Sequence, residues 1–157
     1  MAQPLGFDPS IVNQDTVGSY ALGELREYNG KTYKFIKNAN GASDNALADG
    51  DVCYWASATA LTICNALTSV GSALVGNPVA GVAIGAVTKN NYGFILVHGL
   101  HTNVKSTSST AGTPQKVSAT AATCTDQTAA TIATLGTALN ATAAVTAGRC
   151  TVAVRCL

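Results

Sequence analysis

The sequence predicts a mainly β fold, and two observations carry that prediction. A strand-turn-strand pattern occurs twice, in Ala80–Leu100 (AGVAIGAVTKNNYGFILVHGL) and in Thr134–Leu157 (TLGTALNATAAVTAGRCTVAVRCL). Each copy runs Gly-x-Ala-Ile/Leu, then a polar turn with glycine, then a β-branched strand. The other observation is Glu24–Lys37 (ELREYNGKTYKFIK), where two β-rich runs flank Asn29-Gly30. Asn and Gly tolerate the positive φ of a type I′ turn, so this dipeptide marks a hairpin.

Taken in order, residues 1–22 read as an extended N-terminal arm. Pro4 and Pro9 break helix and sheet alike. Leu5, Phe7, Ile11, Val12 and Tyr20 are large and apolar but keep no period. Such a segment cannot form a core by itself. It is either disordered or laid along a partner, and these five residues are the candidate partner contacts. The β-rich core then occupies residues 23–157.

In the hairpin, Tyr33 and Phe35 share one face of the second strand. Asn38–Gly50 is a loop rich in Asn, Asp, Ser and Gly. Asp44, Asp49 and Asp51 lack the spacing and closing Glu of a calcium loop, so they read as turn and capping residues. Asp51–Ala56 is a strand, with Val52 and Tyr54 facing opposite to Cys53 and Trp55. Ala60–Asn65 is another. Leu67–Pro78 is a loop or a short helix. The first repeat copy follows, with strands near Val79–Val87 and Tyr92–Leu100, a turn at Lys89–Asn91, and a bulge at Gly93. Glycines 81 and 85 lie within strands, where glycine permits close backbone approach.

Residues 102–130 form a Ser/Thr/Ala-rich tract that reads mainly as an exposed loop, with a short strand at Lys116–Ala119. Residues 129–144 are ambiguous. Ile132, Leu135 and Leu139 keep a helical spacing, but the threonines favour strand or loop. The match to the first copy decides for a strand at Leu135–Ala141. Cys150–Arg155 is the last strand.

Composition narrows the functional classes. Charged residues make up only 11% of the 157 residues, against about 25% in ordinary soluble domains. Either an assembly covers much of the surface, or Thr, Ser and Asn coat it. The net charge is +1, with no basic stripe, which argues against a nucleic-acid partner held through phosphates. No run approaches the roughly 18 apolar residues of a membrane helix. Met1–Ser10 holds two prolines and no basic start before an apolar stretch, so no secretory leader is expected. The five cysteines form no CxxC and read as buried small hydrophobes or reduced thiols. Cys150 and Cys156 would sit roughly 20 Å apart along one strand, too far to bridge. A pair such as Cys53–Cys64 across adjacent strands remains open.

No local pattern points to catalysis. His98 and His101 are the only histidines, and no neighbouring pattern supplies a third metal ligand. Nucleophile-elbow, P-loop, dinucleotide and HExxH motifs are absent. Glu24 and Glu27 would face opposite sides of a strand, which does not make a glycosidase pair. The expectation is a protein that is not an enzyme and uses no cofactor and no metal.

Several segments in serial order carry a resemblance: GELREYNGKTYKFIKNANGA, LADGDVCYW, PVAGVAIGAVTKNNYGFILVHGL, AGTPQKVSA, and the closing LGTALNATAA…GRCTVAVRCL. Over Gly23–Leu157 the chain resembles the small head-decoration, or capsid cement, proteins of tailed bacteriophages. It departs from them in the long 106–130 tract and in Cys156. The resemblance implies a small β-barrel or β-tulip-like module, often a homotrimer. It implies binding to the outside of the major capsid protein lattice after expansion, stabilisation of the head, and no catalysis. The implied location is the capsid exterior of a virion assembled in the host cytoplasm, with no nucleic-acid or membrane partner. On this reading residues 1–22 lie across a neighbouring subunit. The competing expectation is a tail, fibre or receptor-binding structural module, for which Tyr54-Trp55 is the one aromatic candidate. A small-ligand barrel or a hydrolase is the third.

Overall fold

The structure, a computed structural model, describes residues 7–39, 46–57, 61–64, 79–117, 122–126, 135–138 and 148–156. These residues are mainly β, with a single 3-10 turn at Pro9–Ile11. The strands are β1 (Leu25–Tyr28), β2 (Lys31–Asn38), β3 (Val52–Ser57), β4 (Thr62–Cys64), β5 (Val79–Ala83), β6 (Tyr92–Lys105), β7 (Pro114–Val117), β8 (Cys124–Asp126), β9 (Gly136–Ala138) and β10 (Arg149–Arg155). They form one sheet in the order β1-β2-β4-β3-β5-β6-β10-β9-β7-β8, and β2 also pairs with β6. The pairings β2–β4–β3–β5–β6 therefore return to β2. No helix among the described residues is long and apolar enough to cross a membrane.

The β1–β2 hairpin turns as its sequence dictates. Asn29 and Gly30 have φ of 50° and 72°, and Tyr28 pairs directly with Lys31. The two repeat copies are both antiparallel pairs, β5 with β6 and β9 with β10. They meet through their second strands, since β6 and β10 are also antiparallel.

β6 exceeds its expected end at Leu100 and runs to Lys105. Its first half pairs with β2, from Lys37↔Tyr92 to Thr32↔His98. Its second half pairs with β10, from Arg155↔His98 to Arg149↔Lys105. This second partner keeps the strand going into the Thr/Ser-rich tract. β5 stops at Ala83, and Val87 makes only an isolated bridge to Leu47. The short strand expected at 116–119 begins earlier, at Pro114, and Cys124–Asp126 is a strand where a loop was expected. In the 129–144 stretch the described strand is Gly136–Ala138. The Leu67–Pro78 segment lies outside the described residues.

The central strands bury both faces, so their sequences read as continuous apolar runs rather than alternations. One core cluster gathers Tyr33, Phe35, Val52, Val82, Phe94 and Leu96, and extends to Val104, Cys124, Leu135, Cys150, Val152 and Val154. The opposite faces of the same strands send Ile36, Cys53, Ile63, Ala80, Ala83, Ile95 and Val97 into a second cluster. Trp55 packs against that second cluster with Cys53, while Tyr54 is buried. Where β5 changes face, the register slips: Cys53 pairs with Gly81 but Tyr54 with Val79. Gly81 has φ of 153°, and a Cβ there would lie 2.4 Å from the Leu96 carbonyl oxygen. The bulge and the missing side chain together let β5 pass that close to β6.

Candidate functional site

Three of the arm residues named from the sequence, Phe7, Val12 and Tyr20, are brought together on the chain's own sheet. Asp8 caps the 3-10 turn, its Oδ1 accepting from the Ser10 amide at 2.9 Å and the Ser10 hydroxyl at 2.7 Å. Pro9 opens the turn, where its missing N–H costs nothing. The arm then crosses two glycines at close range. A Cβ on Gly85 would stand 2.3 Å from the Ser10 carbonyl oxygen, and one on Gly93 2.7 Å from the Val12 carbonyl oxygen. Gly93 is thus not a bulge, as the sequence had led us to expect; it pairs in register with Ile36 and clears a path for the arm.

Polar bonds fasten this crossing. Gln14 exchanges both backbone hydrogen bonds with Tyr92, at 2.9 and 2.7 Å. Asn13 clamps the β5–β6 turn: its Oδ1 accepts from the Thr88 amide at 3.0 Å and from Asn91 Nδ2 at 3.1 Å. Its Nδ2 donates to the Thr88 hydroxyl at 3.0 Å. Gly23 then donates to the Phe35 carbonyl at 2.8 Å, which delivers the arm into the hairpin.

The arm's aromatic rings complete a cluster. Phe7 meets Tyr28 and Phe94 edge-on, with centroids 5.9 and 5.5 Å away. Tyr20 packs on Phe35 at 5.2 Å and on Phe94 at 5.0 Å, with the Arg26 guanidinium 5.6 Å from its centroid. Such offset contacts each add about 1 kcal/mol beyond burial. Phe7, Val12 and Tyr20 are accordingly half-buried against the first core cluster. Ile11 points outward and is 75% exposed. Val17, Leu25 and Leu100 are the other large apolar residues exposed among those described. Leu5 lies outside the described residues.

Between the capped turn and the sheet is a cavity of about 440 Å³. Asp8 and Ser10 form one wall, facing Tyr28, Lys31, Tyr33, Asp49, His101 and Asn103. Burial raises the Tyr33 phenol above its ordinary range, and the charges of Asp8 and Tyr28 push the same way. His101 Nε2 lies 3.2 Å from Asp49 Oδ1, and His101 Nδ1 accepts the Asn103 amide proton at 3.1 Å. Asn103 Nδ2 holds the other Asp49 oxygen at 2.6 Å. Burial lowers the His101 pKa; Asp49 opposes that shift, and Lys31 reinforces it.

This network limits the chemistry available. With Nε2 turned to a carboxylate, the one lone pair of the neutral imidazole, on Nδ1, is engaged by the Asn103 amide. The cavity wall carries no cysteine, and Ser10, its one serine, donates to Asp8. His98, three residues before, is exposed. No group of three metal-binding side chains occurs among the described residues. The turn reading of the aspartates fits Asp51, whose Oδ2 accepts from the Ala48 amide at 2.9 Å while Oδ1 pairs with Lys105.

Sequence reasoning found the arm's aromatic residues but not their seat. Gly81 and Gly85 were legible as close-approach positions, though not which backbone approaches them; Gly93 looked like a bulge, and its role in clearing the arm was not legible. No protein-family model, no curated protein and no solved structure matches this chain.

Proposed function

We propose that this chain is a structural virion protein, a head-decoration or cement protein of a tailed bacteriophage. It binds the outside of the major capsid protein lattice and stabilises the expanded head. The five strands whose pairings close on themselves act as a small barrel-like module, and three copies pack around a symmetry axis. The observation that carries the reading is the arm: it is fixed to the sheet by backbone bonds and aromatic packing, yet it turns Ile11 outward. Phe7, Val12 and Tyr20 set the path of the arm, while Ile11, Val17 and the preceding Leu5 reach the partner. An anchored apolar side chain of this kind loses little freedom on docking. Repetition over a shell multiplies a weak single contact. The low charge of the chain and the occupied His101 imidazole fit a protein that works by contact rather than by catalysis.

The test uses purified virions and expanded heads lacking this protein. Densitometry should find copies in numbers comparable with the major capsid protein. The full chain should rebind the empty-surfaced heads, and Ile11→Asp should reduce that binding at least tenfold while leaving the unfolding midpoint unchanged. A handful of copies per particle supports the tail or fibre reading instead. Full binding by Ile11→Asp removes the arm from the interface.

A further inference from the structure

The cavity behind the 3-10 turn is lined by polar groups that the fold itself does not use. Tyr33 is the foremost of them. Its backbone pairs with Arg26 on one side and Leu96 on the other, and the residue is 5% exposed. It lines the cavity, yet its hydroxyl has no hydrogen-bond partner among the described residues. A buried phenol ordinarily finds one, because a polar group left unmatched away from water costs folding free energy. Asp8 and Tyr28 both act electrostatically on that phenol, so the three groups converge on one part of the cavity. Asp8 gives Oδ1 to both Ser10 bonds and keeps Oδ2 free. Lys31 pairs with Tyr28 across the hairpin turn, and its ammonium has no ion-pair partner among the described residues. Its charge reaches His101, which places it toward the other end of the cavity.

This set of groups discriminates between classes of ligand. A phosphate or sulfate would meet one ammonium and be repelled by the carboxylates of Asp8 and Asp49. A metal ion finds no group of three ligating side chains among the described residues, and Asp49 is already turned to His101 and Asn103. A wholly apolar ligand would leave the Tyr33 hydroxyl and the Lys31 ammonium dry and unpaired. A neutral polyhydroxy ligand suits all of them, because each of its hydroxyls both donates and accepts. It can donate to Asp8, accept from Lys31 and do either with the phenols. Pro9, Ile84 and Leu96 offer apolar surface to its C–H faces. The volume of about 440 Å³ lies toward the lower end of the range for ligand pockets, ~300–1,000 Å³. It suits a sugar ring rather than a long chain.

We propose that this cavity is a saccharide-binding site, in which Asp8, Tyr28, Lys31 and Tyr33 hold the hydroxyls of one neutral hexose unit of a glycan. The arm supplies the Asp8 wall, so the site is complete only while the arm keeps its track across Gly85 and Gly93. The inference rests on this one chain and does not depend on the capsid reading.

The experiment adds glucose, galactose, mannose or N-acetylglucosamine to the folded full chain and follows saturation transfer and amide NMR signals. At least one sugar should bind with a Kd of about 1 mM, as befits a ligand with few contacts, and should shift the amides of Tyr28, Lys31, Tyr33 and Asn103. Tyr33→Phe keeps the ring in the core and removes the hydroxyl alone. It should weaken binding roughly fivefold without lowering the unfolding midpoint. Asp8→Asn, which still caps the turn, should weaken it likewise. Ile11→Asp should leave sugar binding unchanged, which separates this site from the proposed capsid contact. Absence of saturation transfer from all four sugars at about 50 mM overturns the proposal. So does equal affinity in the parent chain and Tyr33→Phe. Shifts of the same amides by inorganic phosphate but not by sugars, or equally by glycerol, overturn it too.

Discussion

His101 shows how the length of a strand decides where a residue sits. Along β6, His98 and Leu100 face out while His101 is buried. A register shift opposite Cys150–Val152 then changes which face the strand presents, so that Val104 is buried as well. Strand alternation puts two histidines three apart on opposite faces, but the sequence pattern ends the strand at Leu100, so the inward place of His101 was not legible. Burial sets the consequence. The His101 pKa lies below its ordinary 6.5. Between those two values the unfolded chain binds the proton and the folded chain does not, so stability falls as pH drops through 6.5 and levels off below the folded value. Protonation also removes the lone pair that accepts the Asn103 amide. Urea midpoints measured from about pH 7.5 to about pH 5 should decline in the parent chain, and His101→Gln should flatten that part of the decline. Equal slopes in both proteins mean that His101 is not the titrating group.

At the scale of elements, local signals succeeded where an element carries its own instructions. The hairpin has its Asn-Gly turn, and each repeat copy has its Gly-x-Ala strand. β8 and the second half of β6 have none, because neighbouring strands create them. Ser106, in a run of Ser and Thr that looks like a loop, is buried because Cys124 bridges to it and Gly148 accepts from its amide at 2.7 Å. The arm is intermediate: its rings were visible, its track was not. That track makes a sharp prediction. Gly85→Ala places a methyl where the Ser10 carbonyl sits, and Asn13→Ala removes the clamp on Thr88 and Asn91. Each should free the arm, costing about 1–3 kcal/mol. Limited proteolysis should then cut within residues 7–22 at least tenfold faster, while the β1–β2 hairpin stays protected. Unaltered cleavage of both variants would falsify the arm's dependence on this track.

For the whole molecule, the fold class was legible because the chain is short, apolar and rich in β-branched residues. The arrangement of the strands was not, since it rests on contacts between segments far apart, such as β2 with β6 and the arm with Tyr92. Under the proposed function the low charge belongs to a surface partly covered by copies of the same chain. Sedimentation equilibrium should therefore return the mass of a trimer; a monomer across the whole concentration range would count against that part of the proposal.

The closed circuit of pairings through β2, β4, β3, β5 and β6 has a consequence for crowding. A protein packed at high local density risks joining its neighbours edge to edge into fibrils. Here the order of the sheet leaves β1 and β8 as its outermost strands. They span four and three residues, and β1 carries Arg26 and Glu27. Such stubs offer too few backbone groups to template a foreign strand. The long apolar strands that would aggregate most readily are the ones with both sides already taken.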